Sequence, residues 1–173
     1  MLFEQRQHKA LETLAMTDSL TGLPNRRAAE SFLATEVARA KRTQQPFAVV
    51  ICDWDRFKLI NDHFGHEIGD RVLQHISTIM QDALREGDWV ARWGGEEFII
   101  FLHHSTGAEA FNAMERLQEE IKSRVVETQH GGLALTASFG IGVFYPQETG
   151  LLQVLSEADG CLYECLRASS FSM

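Results

Sequence analysis

The chain has 173 residues, 45% of them hydrophobic, which is enough for one globular domain with a full core. Its formal net charge of −8 argues against a general nucleic-acid binder, which needs a basic face for phosphate, and leaves any anionic ligand to local donors or metal ions. No apolar run approaches the roughly 18–20 residues that span a bilayer, no charged-then-apolar export signal opens the chain, and Cys52, Cys161 and Cys165 lack CxxC spacing, as expected of small core residues in a reducing cytosol.

Leu11, Leu14 and Ala15 leave the trace of an amphipathic helix over residues 1–16, broken at Thr17-Asp18. Pro24 opens a second helical pattern, about Arg26 to Gln44, with Phe32, Leu33, Val37 and Ala40 at three- and four-residue spacings. FAVVIC, residues 47–52, is an unbroken β-rich apolar run, the mark of a strand buried on both faces. A short helix over about 57–64 stops at Gly65, and a longer one is expected from about Asp70 to Arg85. Two strand-like runs, Asp88–Trp93 and Phe98–Leu102, flank Gly94-Gly95 and read as a hairpin with a tight two-residue turn. A helix near Ala108–Val126, a strand pattern over 133–144 and a last helix near Leu151–Ala168 complete the chain, with the strands of 125–132 unassigned. Strands alternating with helices indicate a two-layer α/β domain.

Two features carry chemistry. Asp53 follows a buried strand, and ligands of α/β sheets collect at the carboxyl ends of strands. An ionised acid there is costly unless paired or metal-bound. Capping of the next helix is the competing use of Asp53 and, more so, of Asp55. The second feature is ARWGGEEFIIF (91–101), with Glu96 and Glu97 beside a glycine pair. Alone it is a solvated turn. Beside Asp53 these acids would form a hard-oxygen site suited to a pair of Mg²⁺ ions, the clamp used in phosphoryl and nucleotidyl transfer. Gly94 and Gly95 would let a bulky ligand approach the backbone.

These residues also carry a resemblance. RWGGEEF (92–98) resembles the signature hairpin of the GGDEF family of diguanylate cyclases in its Glu-for-Asp form. DWDRFKLINDHFGHEIGDRVL (53–73) is similar to the family's other long signature, and DSLTGLPNRR (18–27) to its opening motif. The resemblance implies an α/β fold: a two-layer sandwich with a central mixed sheet surrounded by helices and a protruding β-hairpin, as in nucleotidyl cyclases and polymerase palms. It implies a linker helix over 1–17 that ends a coupling stalk, and a catalytic domain over 18–173. The implied reaction joins two GTP into cyclic di-GMP with loss of two pyrophosphates, each domain of a homodimer holding one GTP.

By the same resemblance, Asp53, Glu96 and the Trp54 carbonyl would hold two Mg²⁺, with Mn²⁺ as an alternative, and Glu97 would add a metal oxygen or accept the 3′-hydroxyl proton. The free N–H groups of a helix starting at Phe57 suit a triphosphate, and Lys58 supplies charge where the transition state needs it. Asn61 offers a donor and an acceptor to a base edge, and Asp70 accepts from the N1–H and N2–H of guanine. His66 lies four residues from Asp70 and shares its face.

In REGD (85–88), Arg85 and Asp88, with Arg116 from the following helix, match the family's product-inhibition site. Arg85 would fork onto guanine or phosphate and Asp88 would take the guanine donors. A helix-terminal arginine is the competing reading. The closing helix departs from the family: Leu166 and Ser170 stand where a Lys and an Arg usually grip the triphosphate, and Arg167 faces elsewhere. Their loss favours weaker GTP binding and keeps open a GTP or cyclic di-GMP binding module without turnover. A metal-dependent nuclease or polymerase palm lacks support, since no basic groove tracks a strand and no nucleic-acid polymer is expected as partner. The remaining expectations are a cytoplasmic location, with membrane tethering only through domains outside this chain, and a fused N-terminal sensor or receiver domain.

Overall fold

The computed structural model describes residues 15–129 and 131–170, with 162–170 as helix backbone alone. Its elements are α1 (Arg26–Thr43), β1 (Phe47–Trp54), α2 (Phe57–Phe64), α3 (His66–Ala83), β2 (Trp89–Arg92), β3 (Glu97–Leu102), α4 (Gly107–Ser123), β4 (Val126–Thr128), β5 (Gly131–Leu133), β6 (Ala137–Phe144) and α5 (Leu151–Ser170). Local chemistry sets several boundaries. Asn25 caps α1 by accepting from the Ala28 N–H at 3.0 Å, and Gln44 ends it in the left-handed region at φ 56°. Thr106 and Glu109 form a reciprocal capping box at the start of α4.

The main sheet has the order β2-β3-β1-β6, and its three neighbour pairs are antiparallel. β1 and β2 run in the same direction without touching, because the α2–α3 crossover skips one position and β3 fills the gap. Strand β1 is buried along nearly its whole length. One face (Ala48, Val50, Cys52, Trp54) packs on Ile76 and Met80 of α3 and Leu117 and Ile121 of α4. The other (Phe47, Val49) packs with Ala29 and Leu33 of α1 and Val154 of α5. The α/β class and the sheet surrounded by helices are as expected, but the layers number three rather than two, since a strand apolar on both faces needs helices on both. At Gly142 a Cβ would strike the Val154 carbonyl, so glycine lets α5 lie directly on β6. Among the described residues no helix is long and apolar enough to cross a membrane.

Other details differ from the sequence reading. β1 extends to Trp54, so Asp53 lies within the strand rather than after it. α3 begins at His66, where Gly65 with φ 85° turns the chain, so Asp70 sits a turn inside the helix. Four residues, not two, connect β2 to β3. The segment read as one strand over 133–144 is divided: Leu133 pairs with Val126 in a separate β4–β5 ribbon, and β6 starts only at Ala137. The linker helix expected over 1–17 lies mostly outside the described residues, which begin at 15.

Candidate active site

Antiparallel pairing of β1 with β3 puts Asp53 directly opposite Glu97, and pairing with β6 puts Ser138 on its other side. Glu96 ends the turn, one residue before Glu97. Asp53 is only partly exposed, and its buried Oδ1 has no hydrogen-bond partner. Burial, followed by the charges of Glu96 and Glu97, pushes its pKa up to about 6, against a bond from the Trp54 N–H. This crowding of acids is what a divalent cation would relieve, and the donors are hard oxygens. Among the described residues no three acid, imidazole or thiol side chains stand together as a finished ligand set. The fit therefore depends on Asp53, the two glutamates and main-chain oxygen such as that of Trp54.

The turn that carries Glu96 is braced from outside. The Trp93 and Gly94 N–H groups both donate to the Glu97 carbonyl, at 2.8 and 3.1 Å. Arg92 donates through Nε and Nη2 to the Gly95 carbonyl (3.1 and 2.8 Å) and through Nη1 to both Asp18 oxygens (3.1 and 3.0 Å). Arg26 lies 4.3 Å above the Trp93 ring. Burial raises the Asp18 pKa, but bonds from Thr21 and Arg92 outweigh it and hold the carboxyl below its ordinary value. The DSLTGLPNRR motif thus anchors the hairpin. The glycines divide their work: a Cβ on Gly94 would come 2.9 Å from Glu97 Oε2, whereas one on Gly95 would meet nothing within 4 Å. Gly94 makes room for the chain's own acid, and Gly95 leaves the tip open.

Across the strand end, Arg56 takes the cap position of α2 with φ 57° and no side-chain cap bond, leaving the first N–H groups of the helix without a side-chain acceptor. Phe57 is buried in the core, so only its main chain is available to a ligand. Lys58, His66 and Asp70 are exposed. Gly69, beside Asp70 in the chain, packs so tightly on Asn61 that a Cβ there would strike the Asn61 Oδ1. The structure therefore brings Asn61 next to the start of the Asp70 turn. Asp55 does not cap α2; its carboxylate accepts from the hydroxyls of Thr136 and Ser138, each at 2.7 Å.

Arg85, Asp88 and Arg116 line one cleft of about 470 Å³ between α3 and α4. Arg85 donates to Asp88 Oδ2 (3.2 Å), the His103 carbonyl (2.6 Å) and Ser105 Oγ (2.9 Å), and Asp88 Oδ1 accepts from the His103 N–H (2.8 Å). The Asp88 side chain is 4% exposed against 62% for Arg85. Arg85 is thus the exposed member of the pair and lines the cleft with Arg116, while Asp88 is mainly a brace. Leu166 and Ser170 fall within α5, as expected for the closing helix.

Sequence reasoning missed the parts of Asp18, Arg92 and Gly69, and offered Asp55 only as a helix cap. A glycine inside a helix-forming run was the available signal for Gly69, because it costs about 1 kcal/mol relative to alanine without a packing reason. The others also act through partners 74 to 83 positions away, contacts that local spacing does not announce.

Comparison with known proteins identifies the family of the chain. The family described as "Diguanylate cyclase, GGDEF domain" matches residues 15–170. Diguanylate cyclase DgcP of Pseudomonas aeruginosa is 40% identical over 154 residues, covering 89% of this chain and 23% of DgcP. Diguanylate cyclase DosC of Escherichia coli K12 is 38% identical over 144 residues, covering 82% of this chain and 31% of DosC. The chain therefore spans about a quarter to a third of these relatives. Among solved structures, the coiled coil and GGDEF domain of DgcB from Caulobacter crescentus, in complex with c-di-GMP, superposes with a TM-score of 0.87 at 27% identity, covering 96% of this chain and 89% of that one. SiaD of Pseudomonas aeruginosa, in complex with its activator SiaC, gives 0.85 at 35% identity, covering 96% and 64%. The chain belongs to the GGDEF domain family of diguanylate cyclases.

Proposed function

We propose that this domain catalyses the condensation of two GTP into cyclic di-GMP and two pyrophosphates, as the output part of a longer signalling protein. The observation that carries the reading is the pairing of Asp53 with Glu97 across β1 and β3, with Glu96 adjacent and a buried, unpartnered carboxylate oxygen on Asp53. Asp53, Glu96, Glu97 and the Trp54 carbonyl would hold two Mg²⁺, which when bound neutralise the triphosphate and polarise the α-phosphate. Asp53 gives up its proton to bind. Beside its metal oxygen, Glu97 would also be placed to take the proton of the 3′-hydroxyl. The main-chain N–H groups at Phe57 and Lys58 receive phosphate oxygens, and the Lys58 ammonium meets the charge that builds on them. Asn61 and Asp70 orient guanine, with exposed His66 near the same face. The exposed Gly95 turn leaves space for a second GTP-bearing domain, whose 3′-hydroxyl attacks the α-phosphate held here.

A second reading, a module that binds cyclic di-GMP or GTP without turnover, draws on Leu166 and Ser170 in the closing helix and on the Arg85–Arg116 cleft. Chromatography of the products formed from GTP and Mg²⁺ separates the two. The cyclase forms cyclic di-GMP and pyrophosphate with the wild type and none with Glu97→Ala. A binding module takes up nucleotide and forms neither.

A further inference from the structure

The chain leaves β1 at Trp54 and enters α2 at Phe57 through two residues, and Arg56 between them is a non-glycine residue in the left-handed region. That conformation is strained for a residue with a Cβ, and no side chain caps the helix that follows. What holds the turn is Asp55. Its N–H donates to the Thr136 carbonyl at 3.0 Å, and its Oδ2 and Oδ1 accept from the hydroxyls of Thr136 and Ser138 at 2.7 Å each. Three bonds therefore tie one residue of the turn to the lead-in of β6, more than eighty positions on.

The placement of this latch matters. Ser138 is the register partner of Asp53 on the β6 side, as Glu97 is on the β3 side. Asp55 also stands immediately between the Trp54 carbonyl and the start of α2. The Asp55 N–H to Thr136 carbonyl bond carries the β1–β6 register one pair past Trp54–Ala137, and the Thr136 hydroxyl adds a side-chain bond at that same pair. Among the described residues Asp55 has no cationic partner, so its bonds are to neutral hydroxyls. Its charge works against its neighbour, adding to the rise of the Asp53 pKa. Three directed bonds from this one residue fix the turn's geometry whatever its charge contributes.

We propose that Asp55 is a positioning residue: anchored by Thr136 and Ser138, it sets the spacing between the acid at 53 and the main-chain groups of 54–58 that receive metal and phosphate. The proposal rests on the cyclase reading for what the loop binds. It is a statement about the Asp55–Thr136–Ser138 contact itself, so the two can be tested apart.

The experiment measures Mn²⁺ affinity in the absence of nucleotide, by electron paramagnetic resonance, together with amide exchange at residues 54–58. The proteins are wild type, Asp55→Ala, Asp55→Asn, the pair Thr136→Val/Ser138→Ala, and the triple variant. Loss of a group that orients metal ligands weakens metal by about 10–100-fold. The expectation is at least a tenfold loss for Asp55→Ala and for the Thr136/Ser138 pair, with no further loss in the triple variant and faster exchange at 54–58 in all three. Asp55→Asn keeps one acceptor and can donate to the second hydroxyl, so it stays within about threefold of wild type. The proposal is overturned if the Thr136/Ser138 pair is neutral while Asp55→Asn is as weak as Asp55→Ala, which is the pattern of a charge effect. It is also overturned if exchange at 54–58 is unchanged in every variant. A wild type that binds Mn²⁺ but forms no cyclic di-GMP contradicts the cyclase reading alone, and one that binds no Mn²⁺ still reports on the latch through exchange.

Discussion

Gly69→Ala separates folding from nucleotide recognition in a single methyl group. Gly69 is buried in α3, and the added Cβ would collide with the Asn61 Oδ1 while keeping an ordinary 3.4 Å contact to Phe57. The colliding atom is the tip of a flexible side chain, so Asn61 swings aside at a cost of about 0.5–1.5 kcal/mol. Replacing glycine inside a helix returns about 1 kcal/mol. The two nearly cancel, and the urea midpoint should move by less than the equivalent of about 1 kcal/mol. Recognition has no such compensation. Asn61 displaced from the guanine edge forfeits two hydrogen bonds worth roughly 0.5–1.5 kcal/mol each, about 2 kcal/mol together, or roughly 30-fold in GTP affinity.

Calorimetric titration with GTP, beside urea unfolding, reads both quantities. Because the methyl group acts through Asn61, its penalty should vanish in an Asn61→Ala background. Retention of GTP affinity within about threefold in Gly69→Ala, or a penalty that persists when Asn61 is already alanine, would refute the placement of Asn61 at the base.

Arg92→Ala removes the fork between Asp18 and the Gly95 carbonyl. At partial exposure the loss should be about 1–3 kcal/mol in urea unfolding, and Arg92→Lys should recover at most half, since an ammonium cannot span both partners. The Asp18 carboxyl, held below its ordinary value of 3.8, contributes stability that is complete above that value and fades as pH falls below it. Arg92→Ala should flatten this acid limb. Asp53 has the opposite sign. With a folded-state pKa near 6 against 3.8, the native state holds the extra proton, so metal-free stability should decline as pH rises from about 4 to 6. Mn²⁺ affinity should rise over the same window; Asp53→Asn unfolding with an unaltered pH slope would count against it. If the Arg85–Arg116 cleft takes cyclic di-GMP, Arg85→Ala should weaken that binding at least tenfold by calorimetry, and it should loosen the His103–Ser105 turn, visible as faster amide exchange there.

How legible these features are in the sequence depends on the range of the contact that makes them. α1, α2 and the burial of β1 follow from spacing, capping and an apolar run, all read within about ten residues. The acids at 53, 96 and 97 are also visible, because a carboxylate at the end of a core strand and a pair beside a glycine turn are locally expensive. What spacing cannot state is register. Asp53 meets Glu97 only because β3 inserts between β1 and β2, and a one-residue slip would turn the acid to the other face.

The same limit explains why the supporting residues escaped notice while the ligand-facing ones did not. Asp18, Asp55, Thr136 and Ser138 are ordinary polar residues until the fold closes, and each then gains a partner more than seventy positions away. Their bonds are directed and few, whereas the groups they hold, Asp53 above all, are left with oxygen unpartnered. A domain that saturates its outer contacts and starves its central acid has concentrated its electrostatic cost at one point. On the cyclase reading a cation there would return that cost, and the braces on the hairpin and on the 54–58 turn would fix the acids from both sides before it arrived. Preorganisation of this kind makes a specific demand: the Asp18–Arg92 and Asp55–Thr136 contacts, lying on opposite sides of Asp53, should weaken Mn²⁺ binding additively when broken together, since they share no partner. Strong coupling between them would mean that the hairpin and the turn move as one body, and that the two braces are a single device.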